Sequence, residues 1–216
     1  MEFKARFVSW AEIDNWCRTI SSKLSESYIP EVIIGLSRGG LVPARILSDT
    51  MFVKDLYAVK TEHWGITATR DGSPTIQKTS DIKVAGKKVL IVDDITDTGG
   101  SMKLAHEFIS SLNPRELRTA TMLHIGHSTF VPDFLAESVS GQSWTWFIFP
   151  WNVHEDAFNL TSKFLDHAMT TEEISSELKS RFDLNVEAVD MSMVLKQLSA
   201  TGKILHADGK WSKISS

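Results

Sequence analysis

The stretch Val89-Leu90-Ile91-Val92-Asp93-Asp94-Ile95-Thr96-Asp97-Thr98-Gly99-Gly100-Ser101 changes character twice within a few residues. Val89 to Val92 are uniformly apolar, with Lys87-Lys88 before them and acids after, the pattern of a central parallel strand covered on both faces. Such a strand belongs to an open α/β sheet, which keeps its ligands outside the carboxyl ends of the strands. Thr96, Thr98 and Ser101 supply hydroxyls there, and Gly99 and Gly100 let backbone N–H groups approach closely. A helix predicted over residues 102–112 aims its N-terminus at whatever fills the loop, an arrangement suited to phosphate. Asp93 and Asp94 are poor neighbours for phosphate but good acceptors for the vicinal hydroxyls of a sugar. The segment therefore reads as a seat for a phosphorylated sugar.

At 216 residues the chain is long enough for one well-filled α/β core and a small appendage. A formal charge of −4 argues against broad attraction to nucleic acid or to an anionic membrane. A lone cysteine, Cys17, excludes an intrachain disulfide and favours an intracellular, cytoplasmic setting. Cys17 lies within an amphipathic helical pattern, which favours a buried structural thiol. The N-terminal residues carry acid and base early and form no apolar core of a signal peptide, and no run reaches the length of a membrane span.

From Ser9 to about Ser27, apolar residues recur at helical spacing (Trp10, Ile13, Trp16, Cys17, Ile20, Leu24), with Ser9 and Glu12 as a capping box. Pro30 ends this pattern, and Val32-Ile33-Ile34-Gly35 reads as a strand followed by a helix to about Thr50. Further strands are predicted at Leu56–Val59 and near 118–124 and 144–149. The alternation implies a doubly wound α/β fold with a mainly parallel sheet. Right-handed crossovers then bring the 37–40 loop and the 93–101 loop to one carboxyl edge. After Trp151 the character changes: helical patterns at 171–181 and 187–200, with Thr171 as a possible cap, precede a hairpin over 203–214. This gives an expected division into residues 1–158 and a winged-helix-like α+β extension, 159–216.

Ser37-Arg38-Gly39-Gly40 is the second constellation. Glycines at a strand-to-helix turn expose backbone N–H groups, and the Arg38 fork suits a further anion such as pyrophosphate. Together, the strand–Asp-Asp-x-x-Asp-Thr-Gly-Gly-Ser segment and Ser-Arg-Gly-Gly-Leu-Val-Pro at 37–43 resemble the type I phosphoribosyltransferases, and are most similar to the 6-oxopurine (xanthine-guanine and hypoxanthine) enzymes of bacterial and archaeal type. The resemblance covers roughly residues 5–152. It implies that Asp93 and Asp94 bind the ribose of phosphoribosyl pyrophosphate (PRPP) and Mg²⁺. Thr96, Asp97, Thr98, Gly99, Gly100 and Ser101 would hold the 5′-phosphate, and Ser37, Arg38, Gly39, Gly40 and Lys60 the pyrophosphate. By the same resemblance Asp97 is the catalytic base for the acceptor's imidazole nitrogen, although a helix N-cap would also explain it. Residues 61–80, including Glu62, His63 and Trp64, would form a flexible hood hairpin.

Trp146-Phe147-Ile148-Phe149-Pro150-Trp151 is the third constellation. As a buried strand, its aromatics are simply core. In the 6-oxopurine enzymes a Trp-x-x-x-Pro-Trp segment covers the base, which implies stacking by Trp146 and backbone contacts from Phe147 and Ile148. Two positions depart from that pattern. His124 stands where a lysine usually meets the exocyclic oxygen, and a core histidine explains it equally well. Asn152 stands where an acid often assists a metal, with Glu155 or Asp156 as substitutes.

The implied activity is a purine phosphoribosyl transfer of salvage, by a homodimer, using PRPP and a purine base. The alternatives are a PRPP-sensing regulator acting through its C-terminal module, or transfer to another base. Residues 160–216 carry seven Lys/Arg against eight Asp/Glu, a poor balance for reading nucleic acid. That charge favours a dimer or lid element with Trp211, Ile204 and Leu205 as its buried face.

Overall fold

The computed structural model describes residues 3–62, 75–77, 81–140 and 145–214. Its elements in chain order are β1 (Lys4–Phe7), α1 (Trp10–Ser27), β2 (Val32–Ser37), α2 (Leu41–Thr50), β3 (Asp55–Glu62), β4 (Thr75–Gln77), β5 (Lys88–Thr96), α3 (Gly100–Ser110), β6 (Glu116–Ile125) and β7 (Phe134–Val139). There follow β8 (Thr145–Ile148), α4 (Val153–Thr161), α5 (Thr171–Phe182), α6 (Met191–Ala200), β9 (Ile204–Ala207) and β10 (Lys210–Lys213).

The apolar runs of β2 and β5 lie side by side in a six-stranded sheet of order β4-β3-β2-β5-β6-β7. Every neighbouring pair is parallel except β3–β4. Val89, Leu90, Ile91 and Val92 are completely buried. At about 2 kcal/mol for each buried side chain, this strand is among the strongest local contributors to folding. Alternate residues Val32, Ile34, Leu36, Val89 and Ile91 meet Met102, Ala105 and Ile109 of α3 in one cluster. Ile13, Trp16, Cys17, Ile20 and Leu24 form the buried stripe of α1. Burial, and then the charge of Asp14, pushes the Cys17 thiol up to about 12, which makes it an inert structural group.

Two compact units make up the chain: Ala11–Ser143, which holds the large sheet, and Met1–Trp10 together with Trp144–Ser216. The units are not separated by a cut at 158. β1 pairs in parallel with β8 through Lys4↔Thr145 to Phe7↔Ile148, so both ends of the chain build one unit. For the same reason the 144–149 strand is not a member of the large sheet.

In that unit Ile148, Leu160, Ile174, Leu178, Phe182, Leu195 and Trp211 belong to one core. The cap of α5 is Thr170 and not Thr171: its hydroxyl accepts from Glu173 N–H while the Glu173 carboxylate accepts from Thr170 N–H. Residues 187–200 divide into a short 3-10 turn at Val186–Ala188 and α6, which Asp190 caps through Met193 N–H. β9 and β10 form the expected hairpin, and Met169 bridges Trp211 on its other side. Trp211 and Ile204 are buried as anticipated, but Leu205 points outward and is 49% exposed. Among the described residues no helix is long and apolar enough to cross a membrane.

Candidate active site

The site begins where β5 ends. Asp93 Oδ1 accepts from Asp94 N–H at 3.0 Å, and Asp94 Oδ1 accepts from Ile95 N–H at 2.9 Å. Asp93 is partly accessible, yet the protein packed around it strips hydration from its charged form. Desolvation, followed by the adjacent Asp94 charge, raises its pKa well above the ordinary carboxylate range. A divalent cation with oxygen preference would relieve that repulsion, and Mg²⁺ is commonly held by one or two carboxylates plus substrate phosphates. The donor set therefore fits Mg²⁺.

Beyond the acids, Asp93, Ile95, Thr96, Asp97, Thr98, Gly99, Gly100, Ser101 and Met102 line a cleft of about 210 Å³. Gly99 has φ +83° and precedes α3, whose first amide, Gly100 N–H, donates to Thr98 Oγ1 at 3.4 Å. Left-handed backbone is open to glycine at little cost, and the first turn of a helix presents amide donors suited to an anion. Space imposes glycine as well. A Cβ at Gly99 would lie 2.7 Å from both Phe130 Cβ and Ser128 Oγ. The loop after β6 thus braces the 97–101 loop from behind, and Thr98 C=O accepts from both the N–H and the hydroxyl of Thr129.

The second loop comes from the neighbouring strand. β2 ends at Ser37, the Ser37–Arg38 peptide is cis, and Gly40 starts the turn into α2. A Cβ on Gly40 would lie 2.5 Å from Val92 C=O, and one on Gly39 would lie 1.8 Å from Asp94 Oδ2. The two sequence constellations are therefore in direct contact, as their common sheet edge implied. Lys60 stands opposite Ser37 in the β2–β3 register and is exposed. Residues 63–74 and 78–80 of the expected hood, including His63 and Trp64, lie outside the described residues; β4 pairs antiparallel with Lys60–Glu62.

Two histidines lie near the end of β6. His124 is 7% exposed, within a strand buried from Thr119 to Ile125, and its Nδ1 lies 3.0 Å from Thr96 Oγ1. Burial, then the field of His127, lowers its pKa. This is a core histidine. His127, which sequence reasoning passed over, places Nε2 2.7 Å from Asp97 Oδ1. The signal that would have found it is Gly126, which ends the buried strand and returns the following residues to solvent.

In the other unit, Trp146 lies on β8 opposite Ala5 and is 38% exposed. Its indole N–H donates to Asp156, which is buried. Phe147 carries the Arg6 guanidinium 4.8 Å above its ring centroid. Ile148 is buried, and its carbonyl already accepts from Val8 N–H. Phe149 and Trp151 stack with centroids 4.8 Å apart. Of the acids considered for a metal near Asn152, Glu155 is exposed and Asp156 is turned into the protein.

A glycine-rich turn into a helix, two carboxylates and a second glycine turn on adjacent parallel strands agree with the comparison to known proteins, where the phosphoribosyl transferase domain matches residues 9–157. The chain belongs to the phosphoribosyltransferase family. It is similar to xanthine-guanine phosphoribosyltransferase of Idiomarina loihiensis, 31% identical over 150 residues that span 68% of this chain and 87% of that one. Hypoxanthine-guanine phosphoribosyltransferase of Aquifex aeolicus is 29% identical over 119 residues, 52% of this chain and 65% of that one. The crystal structure of a purine phosphoribosyltransferase from Pyrococcus horikoshii aligns with a TM-score of 0.60 at 29% identity, over 70% of this chain and 94% of that one. This phosphoribosyltransferase keeps both signature motifs intact and departs from the resemblance at His124 and Asn152.

Proposed function

We propose that this phosphoribosyltransferase transfers the 5-phosphoribosyl group of PRPP to a ring nitrogen of a 6-oxopurine, giving a nucleoside monophosphate and pyrophosphate. The observation that carries the reading is the contact between Gly39 and Asp94, which sets a pyrophosphate turn against the ribose acids. The names of the similar proteins support a 6-oxopurine acceptor and a role in purine salvage.

In this reading the α3 N-terminus, Thr96, Thr98 and Ser101 bind the 5′-phosphate. Asp93 and Asp94 accept from the ribose hydroxyls, and Ser37 to Gly40 with Lys60 hold the pyrophosphate. Breaking the C1–oxygen bond develops positive charge on the ribose, which the two carboxylates stabilise, while negative charge builds on the leaving group beside Arg38 and Lys60. Mg²⁺ held through Asp93 and Asp94 would neutralise part of that leaving-group charge. As the bond from C1 to the ring nitrogen forms, the imidazole proton of the base passes to Asp97 or is held by it. Trp146, with Phe147 and Ile148, is assigned to the acceptor on the strength of the resemblance and of the exposure of Trp146. His124 is not retained there. The setting is cytoplasmic and the assembly a homodimer in the same reading.

The test is pyrophosphate release from PRPP with Mg²⁺ against hypoxanthine, guanine, xanthine, adenine, uracil and orotate. Release that depends on a 6-oxopurine is expected. Release with only adenine or a pyrimidine would move the acceptor to another class, and silence across the panel would overturn the enzyme reading.

A further inference from the structure

We infer that His127 is a positioning residue for the transfer reaction, holding the Asp97 carboxylate so that its second oxygen serves the acceptor base. The inference rests on the reading above, in which Asp97 is the base.

A carboxylate only accepts hydrogen bonds, so the 2.7 Å contact fixes Nε2 of His127 as the protonated nitrogen and Asp97 Oδ1 as its acceptor. Oδ1 is thereby engaged on the side of the β6–β7 loop, and Asp97 itself lines the phosphate cleft. A half-exposed carboxylate on a glycine-rich loop would otherwise rotate among several rotamers, each misplacing the proton acceptor. The support for His127 is equally well defined. Thr98 C=O accepts twice from Thr129, two residues further on, and Gly99 packs against Ser128 and Phe130. The histidine and the aspartate therefore sit on two loops stapled together immediately beyond the pair.

The alternative, a surface ion pair that tightens the loop, makes different predictions. If His127 acts through Asp97, removing its donor lowers kcat and leaves PRPP binding alone. If it only tightens the loop, PRPP affinity falls with it, because the same loop holds the 5′-phosphate.

The experiment compares wild type, His127→Phe, His127→Gln, Asp97→Asn and the double variant His127→Phe/Asp97→Asn. It reads kcat and KM for PRPP and for the acceptor that wild type uses, with PRPP binding measured separately by calorimetry. His127→Phe should lower kcat about ten- to a hundred-fold, the scale of a misplaced proton acceptor, with PRPP affinity unchanged. The amide N–H of His127→Gln should restore most of that loss. In the Asp97→Asn background, His127→Phe should cost nothing more, because the two act as one unit. Full kcat in His127→Phe, a parallel loss of PRPP affinity, failure of the glutamine to rescue, or additive losses would each overturn the inference while leaving the reaction assigned. A wild-type protein inactive with every base would instead remove the reaction, and the inference with it.

Discussion

Gly39 and Asp94 are built against one another: a Cβ on Gly39 would lie 1.8 Å from Oδ2 and 2.3 Å from Cγ of Asp94. No side chain fits there unless the carboxylate or the turn moves. Gly39→Ala should therefore lower both PRPP affinity and turnover by about a hundred-fold or more, the scale of a misplaced reacting geometry, with an unchanged far-ultraviolet circular dichroism spectrum. Near-normal turnover in Gly39→Ala would show that the close fit has no role in the reaction.

Asp93→Asn with Asp94→Asn removes both charges while keeping the hydrogen-bonding outline of the strand end. Turnover should disappear while the thermal transition stays cooperative, and relief of the repulsion that raises the Asp93 pKa should leave stability the same or higher. Substantial residual activity would sink the proposed ribose contact.

Trp146→Ala should raise KM for the base far more than KM for PRPP, since a lost aromatic face removes about 0.5–1.5 kcal/mol of stacking beyond its buried area. Equal increases in the two constants would separate Trp146 from the acceptor.

Asp156 gives a pH prediction. Its side chain is 5% exposed, Oδ2 has no hydrogen-bond partner among the described residues, and its pKa is raised from 3.8 to about 6. Burial is the main cause, Glu155 adds to it, and the Trp146 N–H opposes it. A carboxyl whose pKa is higher in the folded than in the unfolded chain favours folding while protonated, and that contribution is lost as pH rises through the folded value. Wild type should lose about 2 kcal/mol of stability between pH 4 and pH 6 from this group. Asp156→Asn, which stays neutral and still accepts from Trp146, should escape that loss. Urea unfolding at pH 4 and pH 8 decides it: the variant gains on wild type only at the higher pH, and an equal difference at both would show that Asp156 does not titrate in this window.

Much of the large sheet was readable because β2 and β5 carry their burial in composition alone, as unbroken apolar runs. The glycine turns were readable because each glycine is demanded by a close approach that leaves a local signature. β1, β4, β7 and α4 escaped for different reasons. β1 is four residues long with alternating charge, and β4 is three residues long. β7 lies at the sheet edge with most of its residues half-exposed, so its pattern does not repeat cleanly. The pairing of β1 with β8 joins opposite ends of the sequence, and no local pattern encodes it. His127 was passed over because its side-chain direction is not written in the local pattern. Both histidines are near the end of β6, but one belongs to a strand covered on both faces and the other follows the glycine that releases the chain.

The partnership of β1 with β8 also orders the birth of the molecule. As the polypeptide leaves the ribosome, Ala11–Ser143 emerges before β8, the strand with which β1 pairs. β1, made well before β8, thus waits for its partner with an unpaired edge. Lys4 and Arg6, alternating with Ala5 and Phe7, give that waiting edge a charge at every second position, which discourages pairing with a neighbouring nascent chain.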